Sequence, residues 1–164
     1  MKTKKPYLNN LINNLRKFAL GLLIICSVYG MSNAATITVT NILDGMPGSL
    51  RDAVSAASVG DTIVFAATTD GLPQLLTVGE IALNFEINIF GNGPGNTIVD
   101  GNVSNRIFNI NASGPVRLTD LEIRNGSSTS SGGAIFATGG VDLQINNCTI
   151  TDSESTAAAA GAGG

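Results

Sequence analysis

Short stretches of alternating apolar and polar residues dominate the chain. Residues 36–40 (TITVT) alternate strictly, which is typical of a strand with one face in water. After residue 60, short β-rich runs follow one another, separated by glycine, asparagine and aspartate. These runs cover residues 62–65, 81–83, 87–90, 97–99, 107–110, 116–123, 134–137 and 143–150. This pattern predicts an all-β fold.

One helix is predicted ahead of these runs. Its apolar face repeats at helical spacing and comprises Leu50, Ala53, Val54 and Ala57. Ser49 can act as the N-cap, and we expect Asp52 to accept a hydrogen bond from the Ser49 backbone N–H. Gly60 is expected to end the helix, and Arg51 to support it rather than to take part in chemistry.

Two β-rich segments match each other at an offset of 27 residues. Residues 118–125 (LTDLEIRN) align with residues 145–152 (INNCTITD), and both apolar and short polar positions coincide. A repeat of this length made of short strands indicates a solenoid, in which apolar columns stack inward and Asn or Asp residues hydrogen-bond between coils. A β-sandwich is the competing architecture. It is less favoured because clean hairpin signals are missing.

The ends of a solenoid expose apolar columns and strand edges, so they need caps. The predicted helix is placed to cover the N-terminal end. Nothing comparable follows residue 155, where the sequence continues in alanine and glycine. We therefore expect residues 35–164 to be the N-terminal part of a β-helix domain, with further coils or an anchor beyond it.

Residues 1–34 have the pattern of a secretory signal peptide. Five of the nine basic residues fall within the first 17 positions, and an apolar run covers residues 18–29. Ser32 and Ala34 supply small residues at a cleavage site, and the run is too short to span a bilayer. An uncleaved anchor is the alternative. We expect Cys26 to be removed together with the signal peptide. We expect no lipid to be attached to it, because two isoleucines precede it where a lipidation site has small residues.

The charge of the remainder excludes several classes of function. Residues 35–164 hold four arginines and no lysine against all twelve acidic residues, a formal charge of −8. Such a surface repels phosphate backbones, so we expect no nucleic-acid binding. The chain contains no histidine. This removes Ser-His-Asp and Cys-His catalysis and the commonest metal ligand.

Several motifs resemble those of a known group of bacterial proteins. Residues 48–54 (GSLRDAV), 60–65 (GDTIVF) and 91–101 (GNGPGNTIVDG) are similar to the start of secreted right-handed parallel β-helix proteins with a pectin-lyase-like fold. In the motif of that group, Cys stands where this chain has Gly48, and Glu where it has Asp52. Residues 132–135 (GGAI) resemble repeats of polymorphic outer-membrane proteins. The resemblance implies a right-handed parallel β-helix on the cell surface or in the medium, with roles as adhesin, exported passenger or polysaccharide lyase.

Three arginines are candidate bases or carboxylate clamps for polysaccharide cleavage: Arg106, Arg117 and Arg124. The favoured interpretation is structural, with Arg117 and Arg124 pairing with Asp120 or Glu122. The paired carboxylates of a glycoside hydrolase and the motifs of a lyase are not found. We therefore assign no catalytic, cofactor-binding or metal residues.

Two further candidates are weaker. The carboxylates of Asp70, Asp100 and Asp120 could bind Ca²⁺, although scattered surface acids are usually only solvated. Cys148 aligns with Leu121 in the repeat, so we expect it to be a small buried residue rather than a reactive thiol. No cofactor is expected apart from this weak possibility of Ca²⁺.

Two functions from different classes are consistent with the sequence. The favoured one is a secreted or cell-surface β-helix module, structural, adhesive or glycan-binding, which holds loops such as residues 127–131 outward toward a polysaccharide or a host or neighbouring cell. The alternative is the N-terminal part of a pectate-lyase-like polysaccharide lyase or hydrolase. No membrane span is expected after removal of the signal.

Overall fold

The computed structural model describes residues 10–17 and 34–156. The chain divides into two compact units, Met1–Asn33 and Ala34–Gly164. In the first unit, residues 10–17 are helical. Most of the predicted signal peptide, including Cys26, and the alanine- and glycine-rich tail after residue 156 lie outside the described residues. Within the described ranges, no helix is both long and apolar enough to cross a membrane.

Residues 34–156 form a parallel β-helix of about four turns. Its strands are β1 (Thr36–Val39), β2 (Thr62–Phe65), β3 (Pro73–Leu75), β4 (Ile81–Leu83), β5 (Ile87–Phe90), β6 (Ile98–Asp100), β7 (Phe108–Ile110), β8 (Val116–Thr119), β9 (Glu122–Arg124), β10 (Ser127–Ser128), β11 (Ile135–Ala137), β12 (Leu143–Asn146), β13 (Thr149–Thr151) and β14 (Glu154–Ser155). The all-β solenoid predicted from the sequence is confirmed.

Successive coils place equivalent strands side by side in three parallel sheets. The first sheet has the order β1-β2-β5-β8-β12, the second β3-β6-β9-β13, and the third β4-β7-β11; β10 and β14 form a separate pair. The step from one strand to its neighbour varies between 24 and 29 residues. Leu118 pairs with Ile145 and Ile123 with Ile150, so the offset of 27 found in the sequence is the register of the last two described coils.

Inward side chains form apolar columns along the axis. In the first sheet, neighbouring pairs link five residues from coil to coil: Ile37, Ile63, Ile89, Leu118 and Ile145. Phe108, in the third sheet, pairs with Ile81 on one side and Ile135 on the other, and it is fully buried. The core is therefore a stack of layers supplied by every coil.

The helix α1 (Leu50–Ala56) packs against β1 and β4, at the N-terminal end of the solenoid. Leu50, Ala53 and Val54 are buried, and Ala57 packs against the core, as the helical spacing predicts. The helix ends at Ala56, earlier than the expected stop at Gly60.

One hydrogen bond at the N-terminus of the helix differs from the prediction. Ser49 Oγ accepts a hydrogen bond from the Asp52 backbone N–H (3.2 Å), as expected. The Asp52 carboxylate, however, accepts from the backbone N–H of Gly48 (2.8 Å) rather than from that of Ser49. The Ser49 N–H is already engaged by the Met46 carbonyl. The donor to the Asp52 carboxylate is therefore Gly48, one residue before the predicted donor Ser49.

Two predicted runs are each divided into two strands by a bend. Residues 116–123 form β8 and β9, and residues 143–150 form β12 and β13. At the two bends, Asp120 and Asn147 adopt left-handed backbone conformations with φ of 58° and 47°. Asp and Asn tolerate this region better than other non-glycine residues. Asn147 Nδ2 donates to the Asp120 carboxylate, so the expected polar contact between coils exists, but at a solvent-accessible corner.

Three short strands were not predicted. They are β3, β10 and β14, and they lie in stretches without an alternating apolar pattern. β10 and β14 pair only with each other and contain Ser127, Ser128, Glu154 and Ser155. Strand structure there is imposed by stacking of the coils rather than by local preference.

Candidate functional site

A polar pocket of about 340 Å³ opens beside the third sheet. Its lining comes from the segments before β4 and β7 and from the loop that begins with β10, so three successive coils build it. The lining residues are Glu80, Ser104, Asn105, Arg106, Ser127, Ser128, Thr129 and Ser130.

Arg106 is the centre of this pocket, and its side chain is only 10 % exposed. Nη1 donates to Glu80 Oε2 (2.6 Å) and Nε donates to the Gly132 carbonyl (2.9 Å). Nη2 faces three oxygens of the serine loop: Ser128 Oγ, Ser130 Oγ and the Ser131 carbonyl. Arginine is suited to this role because its planar guanidinium presents several donors in fixed directions.

The guanidinium also lies over an aromatic ring. Its Cζ is 5.1 Å from the centroid of the Phe136 ring, within the range of a cation–π interaction. Phe136 belongs to β11, one coil beyond Arg106. Arg106 therefore ties together the coil that precedes it and the coil that follows it.

Glu80 closes the other side of the site. Its Oε1 accepts a hydrogen bond from Asn109 Nδ2 (2.7 Å), and its backbone carbonyl accepts from Arg51 Nη1 (2.9 Å). The Glu80 side chain is 36 % exposed, so the carboxylate remains accessible from the pocket. Glu80 links the N-terminal cap to the pocket.

The loop at residues 127–131 is held more firmly than the sequence indicated. It was expected to project outward. Residues 129–131 are exposed, but Ser127 and Ser128 belong to β10, and Arg106 binds Ser128, Ser130 and Ser131. The loop becomes a wall of the pocket because the Arg106 guanidinium satisfies its oxygens.

Arg124 occupies a different, structural cluster. It binds Asp100 Oδ2 through Nε (2.8 Å) and Glu122 Oε1 through Nη1 (3.0 Å). The pairing with Glu122 was predicted, whereas Asp100 was missed. Burial alone would raise the pKa of Asp100, but hydrogen bonds from Arg124, the Asn102 backbone and Asn125 lower it below its ordinary value.

The predicted ion pair of Arg117 with Asp120 or Glu122 is wrong. It contacts neither Asp120 nor Glu122; Nε donates to Gln144 Oε1 (3.1 Å) and Nη1 to Asn88 Oδ1 (3.3 Å). These partners occupy the same register position in the neighbouring strands β12 and β5. Among residues 34–156, Arg117 is the arginine that forms no ion pair.

The three carboxylates considered for Ca²⁺ do not come together. Asp70 accepts from Asn92, Asp100 is bound by Arg124, and Asp120 by Asn147. Over the described part of the chain, no group of three or more acidic or cysteine residues has the geometry to hold a metal ion.

Cys148 is half-buried and packs against the core, less completely than Leu121, with which it aligns. Its Sγ contacts the carbonyl oxygens of Asn146 (3.3 Å) and Leu118 (3.5 Å). Burial raises the pKa of the thiol, so its reactive thiolate form is disfavoured at neutral pH.

The lining of the pocket is mainly polar. It offers hydroxyl and amide groups around the Arg106–Glu80 ion pair. From the sequence, Arg106 was a candidate and residues 127–131 a presented loop, but their contact was not foreseen. Glu80, Ser104 and Asn105 were missed, because single polar residues in turns carry no distinctive pattern.

Comparisons of the chain with protein-family models, with curated proteins and with solved structures find no match.

Proposed function

We propose that this chain is an exported β-helix module that binds a glycan at the pocket around Arg106. The module acts in the medium or at the outer-membrane surface, where it contributes to adhesion or display rather than to catalysis. The observation that carries the proposal is the hydroxyl-lined pocket of about 340 Å³, anchored by a nine-tenths buried arginine. Such a volume lies at the lower end of small-molecule sites, about 300–1,000 Å³.

The rigid scaffold supports the same function. Three successive coils supply the pocket walls, and Arg106 connects them through hydrogen bonds to Glu80 and Gly132. Binding groups held by a rigid framework lose little conformational entropy when a ligand binds. A glycan on a host cell, a neighbouring cell or a polysaccharide matrix is the expected partner.

A glycan microarray probed with the full chain tests the binding function. We expect retention of one class of glycan and at least a tenfold loss of signal in the variant Thr129→Val, which removes a pocket hydroxyl and keeps the side-chain shape. Thr149→Val is the matched control, because Thr149 is exposed on β13 and does not line the pocket. Equal signals for both variants would refute the pocket as the binding site.

Location is tested separately, by immunoblotting cytosol, periplasm, outer membrane and medium from the native cells. The apolar run and small residues within residues 1–34 support export. We expect the band in the outer-membrane fraction or the medium. A band confined to the cytosol contradicts the exported role.

A polysaccharide lyase is the second candidate, and one observation favours it. Arg117 lies on the first sheet between two amide side chains and has no carboxylate partner among residues 34–156. A guanidinium that is not paired with a carboxylate of the protein can neutralise a uronate carboxylate during elimination. The test is the ultraviolet absorbance of unsaturated product from polygalacturonate, which must appear with the native chain and disappear in Arg117→Gln.

A further inference from the structure

The charges of the Arg106 pocket are internally balanced. Arg106 Nη1 and Glu80 Oε2 are 2.6 Å apart, and the arginine contacts four further oxygens from Gly132, Ser128, Ser130 and Ser131. At most one N–H, on Nη1, is left over for a ligand. The guanidinium is therefore committed to the protein and is a poor receptor for an incoming carboxylate.

The uncommitted polar groups of the pocket are neutral. Ser127 and Thr129 contribute hydroxyls that have no hydrogen-bond partner within residues 34–156. Asn105 donates through Nδ2 to the Leu76 carbonyl (3.0 Å), and its Oδ1 accepts no hydrogen bond from residues 34–156. A hydroxyl can both donate and accept a hydrogen bond, so this set matches the hydroxyl groups of a sugar ring.

Of the two paired charges, the negative one is the more exposed. The Glu80 carboxylate is about one-third exposed and lies at the pocket wall, while the module around it carries an excess of acidic residues. A ligand carboxylate placed here would face like charge at short range and would lose its hydration. A hydroxymethyl group at the same position meets neither cost.

From this balance we propose that the pocket selects neutral sugars and rejects the corresponding uronic acids. The inference rests on the proposed glycan-binding function and names the ligand class of that same site. The matched ligands are methyl glucoside and methyl galactoside, each compared with its uronate, in which only the terminal hydroxymethyl group is oxidised to a carboxylate.

Nuclear magnetic resonance titration of the isotope-labelled full chain measures this selectivity. We expect at least one neutral glycoside to shift the backbone amides of residues 127–130 and to bind at least tenfold more tightly than its uronate. Thr129→Val should weaken the neutral ligand, whereas Thr149→Val should not.

Removing the negative charge of Glu80 provides the decisive comparison. Glu80→Gln keeps the size of the side chain but leaves the Arg106 charge uncompensated. The affinity for the uronate should therefore rise at least tenfold. The preference for the neutral glycoside over its uronate should become smaller or reverse. Glu86→Gln is the matched control, because it removes the same charge from a residue that does not line the pocket.

The outcomes separate the two proposals. If a uronate binds the native pocket as tightly as its neutral partner, the inference about ligand class is overturned while glycan binding stands. If none of the four glycosides shifts residues 127–130, both the inference and glycan binding at this pocket are overturned. If Glu80→Gln and Glu86→Gln change uronate binding equally, charge balance does not set the selectivity and the inference fails.

Discussion

Four arginines carry all the positive charge of residues 35–164, and each has different surroundings. Arg51, Arg106 and Arg124 form ion pairs, whereas Arg117 lies between two amides. The Arg124–Glu122 pair is visible in the sequence because the two residues are separated by one position within β9. Asp100 precedes Arg124 by 24 residues and becomes its neighbour only through stacking of β6 on β9. Partners within a strand are therefore predictable, and partners across coils require the register.

Gly101 lies where backbone segments are closely packed, so its substitution tests this packing. A Cβ on Gly101 would lie 2.6 Å from the carbonyl oxygens of both Asn105 and Asn125. Backbone atoms cannot move aside as a flexible side chain can, so Gly101→Ala should destabilise the fold by about 1–3 kcal/mol. Urea unfolding followed by circular dichroism measures the loss.

The matched control for this substitution is Gly139→Ala, where a Cβ would meet no atom within 4 Å. It should leave the free energy of unfolding within about 1 kcal/mol of the native value, because alanine mainly restricts the unfolded chain. Equal losses for the two variants would contradict the packing described at Gly101.

At the scale of elements, the capping helix depends on contacts outside itself. Seven residues are too few for an independently stable helix. Leu50 and its apolar neighbours were predicted from helical spacing, and Arg51 was expected to support the helix. Asp44 was not identified, because it binds Arg51 together with the backbone N–H groups of Thr77 and Val78, which lie 33 and 34 residues further along.

Asp44 gives the cap a dependence on pH. Its side chain is only 2 % exposed. Burial would raise its pKa, but hydrogen bonds from Arg51, Val78 and Thr77 lower it below the ordinary value. A lowered carboxyl pKa stabilises the fold above the unfolded value of about 3.9, and this contribution is lost as the pH falls through the folded value.

Asp44→Asn should therefore cost about 1.5–3 kcal/mol at neutral pH, since it removes hydrogen bonds to a charged group. The difference from the native protein should shrink once the pH is low enough to protonate Asp44 in the folded state. Urea midpoints measured at neutral pH and in acid check both points. Asp152→Asn, at an exposed corner, should change little; an equal effect there, or a gap that widens in acid, would contradict the role of Asp44.

At the scale of the whole solenoid, each coil is stabilised by its two neighbours. Leu118 and Ile123 are fully buried, while Ile145 and Ile150, their partners in the last described coil, are 41 % and 45 % exposed. These apolar residues have the same sequence pattern, so exposure depends on whether a further coil covers them. In a solenoid, local stability follows such neighbour contacts.

Hydrogen exchange should reveal this gradient. We expect the backbone amides of β5 and β8, which pair with a strand on each side, to exchange more slowly than those of β12, which pairs on one side within the described residues. Mass spectrometry of peptides from the full chain measures the rates. Uniform protection of all three strands would contradict stabilisation by nearest neighbours.

Alternating apolar residues and the repeat at 27 residues favoured a β-solenoid, and helical spacing at residues 50–57 predicted the capping helix, because these are local or periodic properties. The bends at Asp120 and Asn147 and the strand β10 were not predicted, since they depend on how the coils close and stack. The pocket was decided only by the tertiary structure. Glu80, Arg106 and Ser128 belong to different coils, and only stacking in register brings a carboxylate, a guanidinium and a hydroxyl within hydrogen-bonding distance.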